Sequence, residues 1–334
     1  MYKSFASIVL LATQAQAWWD KGHLIVARVA YDILEAEDPT ALAGANALLA
    51  VLQADSDILA LNHENKYPFV ECAPFADTIK GQGYSFQADW HFVNTPYLDE
   101  SKDISDYNFP SQDYENVTNA ISDINLWMLG SAGYAERETY TNIMKYFENE
   151  NDAKSFALRL LIHYIGDSHQ PCHSITKVDS KYPTGDRGCN SEYLPSREGA
   201  SNLHAVWDSV VYEEPGKQTL PFSSADWTTY GAIAQEFSSK WPVAKSDYKT
   251  ADPQGWADEN MAIAQYLYDP VTEGKALFDD YVTSAANEAE KRISFAGRRM
   301  AEMMKTYFGA TKVSYIQWSS LQNFTNTHDN LVWA

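Results

Sequence analysis

Apolar residues recur at intervals of three and four along most of this chain, and nowhere convincingly at the interval of two that marks a half-buried strand. Leu24, Ala27, Ala30, Tyr31 and Leu34 share one face of a predicted helix over residues 22–34, closed by Asp38-Pro39. The same spacing predicts helices over residues 41–52, 75–80, 117–129, 140–147, 255–267 and 274–308. Residues 62–74, 97–111 and 177–199 are polar or rich in Gly and Pro and read as loops, and residues 90–96 are apolar but too short to classify. The pattern predicts an all-α protein, with no strand expected.

The most apolar helix runs from Phe156 toward Pro171, with Phe156, Leu160 and Tyr164 on one face. Into this run the chain sets His163 and Asp167, four residues apart and therefore on one side of the helix. Pro171 ends or bends the helix, so His173 can turn back toward the same place. Further on, His204 and Asp208 repeat the pairing on a second helix, with Ser201 or Asn202 as its N-cap. An imidazole and a carboxylate at this spacing suit zinc, which takes N and O ligands; a buried His–Asp hydrogen bond is the alternative for either pair alone. His23 and His91 extend the group to five of the eight histidines. His169, on the opposite face from His163, reads as a supporting or surface residue, and His63 and His328 fall outside the pattern.

Composition and charge narrow the chemistry. The chain has 334 residues, enough for one large domain or two, and a formal charge of −20 without any Lys/Arg-rich block. A protein that grips duplex DNA through many phosphates carries a basic face, so nucleic-acid chemistry here needs a local positive centre. Lys3, an apolar stretch over residues 5–12 and the small-x-small site Ala15-Gln16-Ala17 read as a secretory signal, residues 1–17, making Trp18 the mature first residue. Asn116-Val-Thr and Asn323-Phe-Thr are then candidate glycosylation sites. Three cysteines allow at most one internal disulfide and exclude a Cys-rich zinc knuckle.

The motifs in order are Trp18-x4-His23, Ala76-Asp77-x-x-Lys80, Trp90-His91-Phe92, His163-x-x-Gly-Asp167-x-x-Gln-Pro-x-His173, Gly185-Asp-Arg-Gly-Cys-Asn190, Asn202-Leu-His204-x-x-Trp-Asp208 and Ala296-Gly-Arg-Arg-Met-Ala-Glu. Together they resemble the zinc-dependent class I nucleases: the fungal single-strand-specific nucleases, plant bifunctional nucleases and microbial 3′-nucleotidase/nucleases. The likeness runs from Trp18 to about Phe308. It implies one domain, residues 18–310, built around a three-zinc cluster, followed by a tail, residues 311–334, of unassigned role.

By that resemblance Asp77, His91, His163 and Asp167 would hold one zinc. Asp167, His23 and the amino nitrogen and carbonyl oxygen of Trp18 would hold its neighbour. His173, His204 and Asp208 would hold the third. Zinc acidifies water, and the implied reaction is in-line attack on phosphorus with departure of the 3′-oxygen. The substrates would be single-stranded DNA, RNA and 3′-nucleotides, and the products 5′-phosphates or a nucleoside plus phosphate.

Lys80 and Asn190 match residues that assist at the developing charge, with a solvated lysine and a turn asparagine as alternatives; Asp77 would also orient the nucleophile. Phe92 matches an aromatic that stacks a base, with a core phenylalanine as its alternative. Asn94 stands where the fungal enzymes carry an aspartate, which leaves base preference open. Cys189 and Cys172 stand where Gly and Leu are usual; a Cys72–Cys189 bond and a buried hydrophobic role for Cys172 are the expectations. The resemblance further implies a secreted or endomembrane/vacuolar-lumen monomer without stable membrane association. The rivals are a zinc-dependent phospholipase C and a secreted zinc-binding protein without turnover.

Overall fold

The computed structural model describes residues 18–98, 100–111 and 115–309. The candidate signal, the tail after Gly309, Asn323 and His328 lie outside the described residues. The architecture is mostly helical, as the periodicity predicts. Its axis is the helix Glu150–Asp167, in which every residue from Ser155 to Asp167 is buried. A helix apolar all round has no solvent face to show, and its neighbours must cover it on all sides. The helices Asp20–Glu37, Pro39–Gln53, Val117–Leu129 and Asp279–Phe308 do so.

Midway along this helix a charged residue, Arg159, is fully buried and paired. Arg159 donates from Nε and Nη2 to both oxygens of Glu64, each at 2.7 Å, and from Nη2 to the Leu49 carbonyl at 3.0 Å. The bidentate geometry offsets the cost of taking both ions out of water.

Predicted and observed helices agree for Val117–Leu129 and Phe75–Lys80, and the first helix extends to Asp20–Glu37. Five departures stand out. The stretch expected as a loop over 62–74 contains the end of Ser56–Asn62 and the short helix Pro68–Glu71. The helix expected over 255–267 is two, Pro253–Met261 and Ala264–Tyr268, and the last helix begins at Asp279 rather than near 274. An unforeseen helix, Ser224–Lys240, buries only Tyr230, Ala234 and Phe237, so its sequence carries a weak apolar stripe; the Ser223 side chain caps it. Strands also exist, contrary to expectation: Thr95–Leu98 pairs parallel with Ile175–Val178, and Tyr193–Arg197 antiparallel with Ala200–Asn202. Runs of three to five residues are too short to establish a period of two. Among the described residues no helix is long and apolar enough to cross a membrane.

Candidate metal centre

The site forms at the C-terminal end of the buried helix Glu150–Asp167, where three other segments arrive. The first helix brings His23, Phe75–Lys80 brings Asp77 and Lys80, and the 3₁₀ helix Ser85–His91 brings His91 at its end. His163 and Asp167 face this group at one-turn spacing. His23 Nε2 and His163 Nε2 lie 3.2 and 3.3 Å from Asp167 Oδ1, and the two imidazoles stack with centroids 3.8 Å apart. His91 Nδ1 lies 2.9 Å from Asp167 Oδ2 and 3.6 Å from Asp77 Oδ1. Asp77 Oδ2 is 3.8 Å from His163 Nε2.

Several of these atoms are buried without a hydrogen bond: His23 Nε2, His163 Nε2 and Asp167 Oδ1. Buried polar atoms left in this state cost free energy. Here they converge, close together but out of hydrogen-bond geometry, as ligand atoms do around a shared cation. The sets His23–Asp77–His163 and His91–His163–Asp167 each bring ligand atoms within 4.8 Å of one another.

A third set, His173–His204–Asp208, meets the same criterion. The chain turns through Pro171–His173 directly after the long helix, and Leu203–Asp208, capped by the Asn202 side chain on Ala205 N at 2.8 Å, faces it. His173 Nε2 and His204 Nε2 are 3.2 Å apart, and Asp208 Oδ2 is 3.4 Å from the latter.

The opposite edge of each imaidazole but one is fixed by a neighbour. His163 Nδ1 donates to the Ala73 carbonyl at 2.7 Å, His173 Nδ1 to the His91 carbonyl at 2.6 Å, and His204 Nδ1 to the Gly188 carbonyl at 2.5 Å. His91 Nε2 donates to Gln87 Oε1 at 2.7 Å, and Tyr164 donates to the same oxygen at 2.6 Å. Each contact places the proton on the outer nitrogen and leaves the inner lone pair for a metal. Only His23 lacks such a partner; its Nδ1 lies over Gly166, where a Cβ would come within 2.7 Å.

Burial pushes His91 and His173 well below the ordinary imidazole range and lowers His23 and His163 too, so the rings are neutral. Burial likewise raises Asp167, and raises Asp208 well above the carboxylate range. Asp77 feels the same burial, but Lys80, His163 and His23 outweigh it and hold the carboxyl below its ordinary value. Neutral imidazoles with buried carboxylates, of which Asp167 and Asp208 resist charging alone, make a donor set completed by divalent cations, and N/O donors of this kind suit zinc.

A cleft of about 270 Å³ lies beside His204, with Phe92, Asn94, Phe109, Arg187, Gly188 and Asn190 among its walls. After His91 the chain becomes extended at Phe92 (φ −146°, ψ 163°), a conformation that sends alternate side chains to one side. Asn190 Nδ2 donates to the Arg187 carbonyl at 2.9 Å. Lys80 Nζ sits 2.6 Å from Asp77 Oδ1 and is buried.

The N-terminal segment is clamped between the two Asp-bearing helices. Trp18, fully buried, donates from its indole to the Gly166 carbonyl at 3.0 Å, and Trp19 N donates to the Asp208 carbonyl at 2.9 Å.

A family model described as S1/P1 Nuclease matches residues 18–309. The chain belongs to the S1/P1 nuclease family. Among relatives of this family member, Endonuclease 4 of Arabidopsis thaliana is 27% identical over 321 residues, covering 90% of this chain and 94% of the relative. Endonuclease 2 of the same plant is 26% identical over 314 residues, covering 90% and 94%. Nuclease S1 of Aspergillus oryzae is 29% identical over 185 residues, covering 52% of this chain and 61% of that protein.

The outlying residues sort clearly. His169 lies just past the end of the helix and is buried rather than at the surface: Nδ1 donates to the Ile165 carbonyl at 2.7 Å and Nε2 accepts from Arg299 at 2.8 Å. His63 is exposed beyond a helix end. Asn116 Oδ1 caps Val117–Leu129 by accepting from the amides of Thr118 and Asn119. The Cys72–Cys189 bond is not formed. Cys72 donates to the Phe69 carbonyl at 3.5 Å in the core, whereas Cys189 lies against Cys172 and Tyr268. Proximity to the site in sequence motifs had suggested the pair; the loop carrying Cys189 packs on the Pro171 turn instead.

Sequence reasoning missed Gln87, Gln170 and the Gly188 carbonyl. Gln170 donates to Asp208 Oδ1 at 2.5 Å and accepts from Cys172 N. Gln87 stands four residues before His91, the one local sign that could have pointed to it; nothing in a sequence marks a backbone carbonyl.

Proposed function

We propose that the mature protein, exported after removal of residues 1–17, is a zinc-dependent phosphodiesterase. It hydrolyses single-stranded DNA and RNA to 5′-phosphates and releases phosphate from 3′-nucleotides. The membership already established makes it a hydrolase of phosphodiester bonds; the zinc, the substrates and the products are our reading. The observation that carries it is the convergence of three ligand groups at one helix end, beside a cleft lined by Phe92, Asn94 and Asn190.

Three zinc ions, when bound, would supply Lewis acidity toward phosphate oxygens and a water nucleophile usable near neutral pH. The first would be held by Asp77, His91, His163 and Asp167, the second by Asp167, His23 and the freed N-terminus of Trp18, and the third by His173, His204 and Asp208. The protein's own groups do the positioning. Lys80 keeps a cation beside Asp77, where negative charge builds on the phosphate. Phe92 offers a ring for an unpaired base; stacking of this kind tolerates any sequence and selects against paired strands. Asn190 presents an amide N–H toward the cleft, suited to a phosphate oxygen.

The test is hydrolysis of single-stranded DNA, RNA, 3′-AMP and phosphatidylcholine by mature protein with and without zinc. Zinc-dependent cleavage of the first three is expected. Zinc binding with no cleavage of any nucleic acid or 3′-nucleotide would establish a non-catalytic protein, and cleavage of the lipid alone a phospholipase. Asp167→Asn should lose metal as well as rate, because that carboxylate faces three imidazoles. Full zinc occupancy in that variant would remove the bridging role.

A further inference from the structure

Cys172 and Cys189 occupy two of the three positions where this chain departs from the resembled motifs, and the fold sets those two against each other. Cys172 lies in the turn Pro171–His173, one residue before a candidate ligand. Cys189 follows Gly188, whose left-handed backbone (φ 59°) passes so close that a Cβ there would fall on the Cys172 carbonyl. Both thiols are free and buried in the structure, and each lies near enough to bear on the other's protonation. The third cysteine, Cys72, bonds within its own segment to Phe69 O.

We propose that Cys172 and Cys189 are joined by a disulfide in the exported protein. The proposal rests on the export part of the reading above, because such bonds persist in oxidising compartments. The oxidant is a disulfide of the lumen, such as oxidised glutathione. One cysteine thiolate attacks it and expels one glutathione, forming a mixed disulfide. The second cysteine then attacks the protein sulfur and expels the other glutathione. Two electrons pass from the protein thiols to the glutathione disulfide, and the two thiol protons end on the released glutathiones. Exchange precedes the seating of the loop on the turn, since both sulfurs become buried.

The bond has a structural purpose at the third ligand set. The Gly188 carbonyl holds His204 Nδ1, and Cys172 adjoins His173 in the chain. Tying residue 189 to residue 172 therefore fixes His204 against His173, and with it the cleft wall that carries Arg187 and Asn190.

The mature protein is to be unfolded, reduced and refolded in a glutathione redox buffer, and its free thiols titrated in denaturant. One thiol of the three cysteines is expected, with a Cys172–Cys189 linked peptide in a non-reducing digest. Three thiols, or a link that involves Cys72, overturns the proposal. A phosphine reductant should lower the melting temperature of the oxidised protein by roughly 5 °C and leave Cys189→Ser unmoved; an unshifted wild type also overturns it. The thiol count does not depend on hydrolysis, so failure of the bond and failure of the nuclease reading are told apart.

Discussion

Replacing Gly166 by alanine sets two effects of opposite sign against each other. Gly166 lies inside the helix Glu150–Asp167, where alanine is favoured over glycine by about 1 kcal/mol on propensity alone. The added Cβ, however, would lie 2.7 Å from His23 Nδ1 and 3.0 Å from its Cε1. To restore ordinary contact the ring must retreat by roughly 0.7 Å. It has little room to do so, being 1% exposed and stacked on His163 at a 3.8 Å centroid distance. Overpacking a core costs about 1–3 kcal/mol, so the net change in stability is small, a loss of about 0–2 kcal/mol.

The site suffers more than the fold. His23 and His163 both address Asp167 Oδ1, and displacement of a positioning group by about 1 Å costs on the order of 100-fold in rate. Gly166→Ala should therefore melt within a few degrees of the parent while losing about 100-fold in kcat/KM on single-stranded DNA and part of its bound zinc. Melting curves, metal analysis and steady-state kinetics on one preparation are the assay. Parental zinc content and parental rate in the alanine variant would refute the reasoning, since the ring would then have moved without consequence.

Asn94→Asp should alter the ratio of kcat/KM among the four 3′-nucleotides more than the maximal rate, because an amide donates and accepts whereas a carboxylate only accepts; an unchanged ratio removes Asn94 from the base site. One added Gly before Trp18 should abolish most activity and lower zinc content, because the α-amine then lies one residue away from the place where the Trp18 indole and the Trp19 amide anchor the chain; full activity with three zincs would refute the N-terminal ligand. Glu115 is raised to about 7, by burial first and by Asp123 and Glu138 next, against a lowering Thr139 hydrogen bond. The folded state thus binds its proton more tightly than the unfolded chain, and stability from this group falls as pH rises from the ordinary glutamate range through about 7. Glu115→Gln should accordingly gain melting temperature relative to the parent at pH 8 but not at pH 5, and an equal gain at both would contradict the assignment.

The sequence by itself determined the helical class and the ligand pairs that sit on single helices. His163 with Asp167 and His204 with Asp208 are legible because a turn of helix is a local ruler, blind to the rest of the fold. Which ion Trp18, His23, Asp77 and His91 would hold was implied only by resemblance, since no local period connects segments so far apart in the chain. Tertiary structure alone decided that these segments meet at one helix end, which imidazole nitrogen faces inward, and that Gly166 must lack a side chain beneath His23. It also set Cys189 beside Tyr268 and away from Cys72, and it made strands of runs too short to show a period. The helix Ser224–Lys240 escaped because it buries one narrow stripe, and Gln87 because a residue that orients a ligand is known only by what it touches. Periodicity records what each segment does to its own neighbours; the approach of distant backbones is written only in the packed molecule.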